Sequence, residues 1–138
     1  MTPAGSERGA LVSASGVQHS DAIRCISTTR DSSSVVTGDY GSRLCLWDCN
    51  ALGLPVATLR SHSPVNAIDG ASLVGGPEVV VGGRDGEVLV FDLRAPEGPV
   101  AGMKPATESG RSPECWTVAF GSPGEPSHDD WYSLATTR

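Results

Sequence analysis

The sequence predicts an all-β protein built from repeated four-stranded blades of the β-propeller type, and three observations carry that prediction. First, residues 37–48, TGDYGSRLCLWD, recur 44 positions later as residues 81–92, VGGRDGEVLVFD, without a gap. Gly38 falls on Gly82, Leu44 on Val88, Leu46 on Val90, Trp47 on Phe91 and Asp48 on Asp92, and Pro55-Val56-Ala57 recurs as Pro99-Val100-Ala101 at the same offset. A repeat of about 40 to 45 residues is the length of one propeller blade. Second, 17 Gly and 10 Pro with 5% aromatic residues describe a turn-rich chain, and the long apolar-periodic runs of a helical bundle are missing. Third, the segments Arg43 to Trp47 and Glu87 to Phe91 are apolar on both alternating faces, so strands there must be covered on both sides, as blades are by their neighbours.

The elements follow in order. Residues 1–18 are small, polar and glycine-rich, and are expected to form a disordered arm with one weak edge strand at Ala10 to Ser13. A first blade spans 19–62, its innermost strand opening at Ile23 and Ile26. A second spans 63–104, opening at Val65 and Ile68. Each continues with a second strand, Val35 to Gly38 or Glu78 to Gly82, then a turn, then the doubly apolar third strand. Pro55 and Pro99 mark the outermost strands, where no ladder donor is required. Residues 105–138 hold a polar loop and part of a third blade. Lys104 to Pro113 reads as a flexible insertion, Cys115, Val118 and Phe120 are in register for an inner strand, and Tyr132 to Thr136 could open a second. A closed propeller needs about four to eight blades, so 138 residues supply about two complete blades and part of a third. The expectation is a fragment of a larger propeller, or a chain that completes its edges with another.

Charge and composition exclude several functions. Residues 1–62 carry five Arg against five acids, while residues 63–138 carry four Arg and one Lys against eleven acids, giving the whole chain a net charge of −6. With no basic stripe to follow a phosphate backbone, nucleic acid is not an expected ligand, and protein partners are. No stretch approaches the ~20 apolar residues of a membrane span, and no basic start with an apolar core marks a signal peptide. A cytoplasmic chain with four reduced cysteines is expected.

Cys45 and Cys49 have C-x-x-x-C spacing, yet no second Cys or His pair completes a zinc site, and they read as strand and turn cysteines. His128-Asp129-Asp130 reads as a solvated loop rather than a metal site. There is no G-x-S-x-G elbow, no H-E-x-x-H and no phosphate loop, and Gly82-Gly83-Arg84-Asp85-Gly86 lacks dinucleotide-loop spacing, so its glycines read as turn residues. No enzyme, cofactor or metal is expected. Asp85 sits in a tight turn, where Asp bonds its own backbone and Gly86 tolerates positive φ, so Asp85→Ala is expected to lower the melting temperature rather than an activity.

The 44-residue repeat closing on an aromatic residue and Asp resembles the WD repeat, and that resemblance implies a buried network of His, Ser or Thr, Trp and turn Asp in each blade. In the first blade it falls on His19, Thr37 and Trp47, with Gly41 at the Asp position. In the second it falls on His62 and Asp85 as partners, with Phe91 at the Trp position and Gly83 or Val81 where a hydroxyl would stand. Phe has no N–H to donate, so each blade is expected to be less rigid than a consensus repeat.

More specifically, Thr37 to Gly41, Val65 to Gly70, Gly76 to Val80, Gly83 to Gly86, Pro99 to Ala101 and Cys115 to Gly121 resemble, in order and spacing, the WD repeat-containing protein 92 family, also called Monad or dynein axonemal assembly factor 10. The resemblance covers residues 19–121. It implies part of a seven-bladed propeller that acts as a non-catalytic adaptor in the cytoplasm, working with an R2TP-type and prefoldin-like co-chaperone system on axonemal dynein heavy chains. A WD-repeat substrate receptor of a ubiquitin ligase or other regulatory complex is the alternative, and a truncated, non-functional product is a third reading. No resemblance indicates which surface binds partners.

Overall fold

The computed structural model describes residues 19–71, 77–95, 97–106, 110 and 112–121, together with the backbone of 132–135. The expected edge strand at Ala10 to Ser13 and the His128-Asp129-Asp130 segment lie outside these residues. Among the described residues there are ten strands: β1 (Ile23–Thr28), β2 (Ser34–Asp39), β3 (Arg43–Asp48), β4 (Ala57–Arg60), β5 (Val65–Asp69), β6 (Glu78–Gly83), β7 (Val88–Asp92), β8 (Ala101–Met103), β9 (Thr117–Phe120) and β10 (Tyr132–Ala135). They form two four-stranded antiparallel meanders, β1-β2-β3-β4 and β5-β6-β7-β8, and a two-stranded sheet in which β9 pairs with β10. This is the all-β blade architecture that the repeat predicts.

The sheets stack through side chains whose direction is set by strand alternation. Val36, Leu44 and Leu59 of the first sheet pack with Val65, Val79, Val81, Leu89 and Phe91 of the second into one core. The opposite face of the second sheet, Val80, Val88 and Val90, packs with Cys115 and Val118 of the third unit. β7 is therefore buried on both faces, as its unbroken apolar run requires.

The repeated glycine at Gly38 and Gly82 has a packing cause. A Cβ on Gly38 would lie 2.7 Å from Val65 Cγ1, and one on Gly82 would lie 2.7 Å from Cys115 Sγ. In each case the next unit's inner strand presses onto the second strand. Gly82 thus lies in β6, as the expected strand Glu78 to Gly82 has it, and Gly83 extends that strand by one residue, so neither is the turn residue that the reading of this glycine run expects. Only Gly86 adopts the left-handed conformation there, at φ 80°, and the first blade places Ser42 at φ 67° in the matching turn.

The outer strands begin just past their prolines. Val56 N–H donates to Leu46 O at 2.7 Å, and Val100 N–H to Val90 O at 2.8 Å, so each ladder starts one residue after Pro. The loop after β8 is not a free insertion over its described part, because Pro105, Ser112 and Pro113 close against Gly86.

Candidate functional site

In the first blade, four side chains from three segments form one hydrogen-bonded chain. β2 alternates so that Thr37 and Asp39 share a face, and β3 brings Trp47 opposite Val35 on the neighbouring strand. The Trp47 indole N–H donates to Thr37 Oγ1 at 2.8 Å. Thr37 Oγ1 lies 2.5 Å from His19 Nε2, and His19 Nδ1 lies 2.6 Å from Asp39 Oδ2. With Nδ1–H donating to the carboxylate, Nε2 is left to accept the threonine hydroxyl. The other Asp39 oxygen accepts from the backbone N–H groups of Gly41 and Arg43 at 2.8 and 2.9 Å, which closes the β2–β3 turn. The His19 side chain is 4% exposed and that of Asp39 fully buried. Burial alone would raise the Asp39 carboxyl, but hydrogen bonds from His19, Arg43 and Gly41 and the nearby imidazole hold it below the usual carboxylate range.

The Asp of this blade is therefore Asp39, where the sequence reading had assigned Gly41 and an incomplete set. The 44-residue offset places Gly41 on Asp85 and Asp39 on Gly83, so the two blades carry their turn carboxylates at different positions. The available signal was Asp39 itself, two residues beyond Thr37 and on the same strand face.

The second blade departs from this pattern consistently. Phe91 and Val81, at the Trp47 and Thr37 positions, are fully buried in the shared apolar core. With donor and acceptor both replaced by hydrocarbon, nothing polar is left orphaned there. His62 and Asp85 are not partners. The half-exposed His62 bonds Glu87 Oε2 at 2.8 Å, and Lys104 Nζ lies 3.6 Å from the same oxygen. Asp85 instead accepts from Ser63 Oγ at 2.8 Å and from the Glu87 N–H at 3.1 Å. Gly83 makes this possible, since a Cβ there would collide with both Ser63 Oγ and Asp85 Oδ1. Neither Ser63 nor Glu87 was singled out by sequence.

Cys45 is buried and Cys49 exposed. Burial pushes the Cys25 thiol up to about 11 and raises those of Cys45 and Cys115, against the lowering effect of neighbouring hydrogen bonds. Among the described residues no group of three or more His, Cys, Asp or Glu is placed to hold a metal ion. No described helix is long and apolar enough to cross a membrane.

Stacked four-stranded meanders, one with a hydrogen-bonded His–Thr–Trp–Asp chain, define a WD-repeat scaffold, and the comparison of families agrees. The family "WD domain, G-beta repeat" matches residues 11–48 and 53–92, more than half of the chain, and the protein belongs to it. Among curated proteins the chain is similar to those named dynein axonemal assembly factor 10. It is 43% identical to that of Xenopus laevis, 42% to that of Homo sapiens and 42% to that of Chlamydomonas reinhardtii, in each case over 93 residues. These matches cover 64% of this chain and 26% of each relative, so the chain spans about a quarter of the length of the curated relatives it matches.

Proposed function

We propose that this chain is part of a non-catalytic WD-repeat adaptor that assists the assembly of axonemal dynein. Its partners on this reading are dynein heavy chains and co-chaperones of the R2TP and prefoldin-like type, and its place of action is the cytoplasm. The observation that carries the proposal is the identity of about two residues in five, over 93 residues, with proteins named dynein axonemal assembly factor 10 from vertebrates and a green alga. The physical character of the chain supports it. Stacked blades give a rigid frame that presents turns and loops, and binding function concentrates on such loops. The buried polar network is fully engaged in holding the β2–β3 hairpin, which suits a structural rather than a chemical role. A propeller scaffold by itself specifies no reaction, so the function rests on surfaces.

The test is recovery of the tagged protein from ciliating cells at endogenous level, with bound proteins identified by mass spectrometry. Dynein heavy chains together with co-chaperones in the cytosolic fraction are the expected result. Recovery of cullin adaptors without either would overturn the proposal in favour of a ligase receptor.

A further inference from the structure

The first two inner strands carry a bulge at the same place. β1 skips from Ile23 paired with Asp39 to Cys25 paired with Gly38, and β5 from Val65 paired with Gly83 to Ala67 paired with Gly82. Arg24 and Asn66 are the extra residues, each freed from the ladder, and bulges re-aim the side chains they carry. The third unit places Trp116 at the corresponding position, one residue after buried Cys115, as Asn66 follows buried Val65.

Two of these residues, Arg24 of the first unit and Trp116 of the third, come together beside Tyr40. The Arg24 guanidinium carbon lies 4.8 Å from the centre of the Tyr40 ring and 5.1 Å from that of Trp116. Both rings are about half exposed, at 44% and 50%. The acid beside this cluster is already occupied, since Glu114 bonds Arg84 Nε at 3.3 Å and Asn66 Nδ2 at 3.2 Å. Among the described residues no carboxylate lies within ion-pair distance of Arg24. Its charge is held in place by aromatic faces, and its planar fork of N–H donors is left for an outside acceptor.

We propose that Tyr40, Arg24 and Trp116 form a docking site for an extended acidic peptide segment of a partner protein. One carboxylate of that segment takes two hydrogen bonds from the Arg24 fork, and an adjacent apolar side chain lies on the exposed rings. Charge complementarity selects this occupant, because a guanidinium already flanked by rings accepts a planar anion at its edge and repels a basic chain. Tyr, Trp and Arg are also the residue types that dominate the energetics of protein interfaces. The proposal rests on the scaffold reading of the chain and is independent of which client the adaptor serves.

Fluorescence polarisation with the full chain tests it. The probes are two labelled ten-residue peptides, one alternating Glu and Leu, the other alternating Gln and Leu. The Glu peptide is expected to bind about tenfold more tightly, the effect of one charge-assisted bidentate contact, and the preference should shrink as salt rises. Arg24→Gln should abolish the preference, Arg24→Lys should restore part of it, and Trp116→Leu should weaken both peptides. Melting temperature and far-UV circular dichroism establish that each variant is folded. Trp116, outside any strand, gives a second variant should Arg24→Gln not fold. Equal binding of the two peptides, no binding of either, or an Arg24→Gln protein that keeps the preference would overturn the site. If the Arg24→Gln protein still recovers dynein heavy chains from cells while the peptide preference is lost, the docking site stands and serves another partner. If the wild-type protein recovers heavy chains yet shows no peptide preference, the adaptor reading stands and the docking site falls.

Discussion

At the scale of single residues, the network of the first blade behaves as one unit. Thr37 Oγ1 is the acceptor for Trp47 and the partner of His19, so Thr37→Val removes the partner of a half-buried indole N–H and of an imidazole nitrogen. Such losses cost about 1–3 kcal/mol. Trp47→Phe alone should also destabilise, but the double variant Thr37→Val/Trp47→Phe reproduces the apolar pair Val81 and Phe91 of the second blade. It should cost less than the sum of the single changes, and denaturant unfolding of all four proteins measures that coupling. Asp39 supplies a pH signature. Its folded-state carboxyl is held below the usual range, so the folded protein binds that proton less tightly than the unfolded chain does. The resulting stability is complete above the unfolded value of about 3.9 and is lost as pH falls through the lower folded value. The melting temperature of Asp39→Asn should therefore vary less with pH across that acid window than that of the parent. In the second blade, Asp85→Ala removes an acceptor from Ser63 and from the Glu87 N–H. It should cost about 1–2 kcal/mol in the same unfolding assay. Thr37, Trp47 and His19 were legible through the resemblance to the WD repeat. The partner choices were not, because Asp39 sits at the β2–β3 turn and Asp85 and Glu87 at the β6–β7 turn, and which carboxylate reaches the histidine of its blade depends on strand face and on Gly83 leaving room.

At the scale of elements, the strands and their order were legible because the apolar alternation of β3 and β7 and the 44-residue offset leave few options. The loops were less so. Lys104 to Pro113 has no periodicity, yet Pro105 and Pro113 fold back over the turn at Gly86, a contact that no local pattern announces. Gly86 is consequently constrained twice, by its φ of 80° and by the backbone of Pro113 where a Cβ would project. Gly86→Ala should lower stability by about 1–3 kcal/mol, visible as a drop in melting temperature. The same change at Gly53, where a Cβ meets nothing within 4 Å, should leave stability unchanged or slightly raised. The two inner-strand bulges were invisible in sequence, since Arg24 and Asn66 share no residue character.

At the scale of the whole molecule, stability lies between sheets as much as within them. Phe91 is fully buried where the first two sheets meet, so Phe91→Ala opens a cavity belonging to both. A loss of about 3–5 kcal/mol is expected, and hydrogen exchange should quicken in β2 and β3 as well as in β6 and β7. Exchange confined to the second sheet would show that the stack does not couple them. The division of β7, with Leu89 and Phe91 turned to one neighbour and Val88 and Val90 to the other, also constrains how such a gene can change. Losing or gaining a single codon inside that strand would exchange the two neighbours' contact surfaces at a stroke, because side chains alternate with a period of two. Loss of two codons would shorten the strand but keep each surface facing its own side. Viable length variation in descendants of this gene is therefore expected to collect between strands, and to keep even parity on the rare occasions when it enters one.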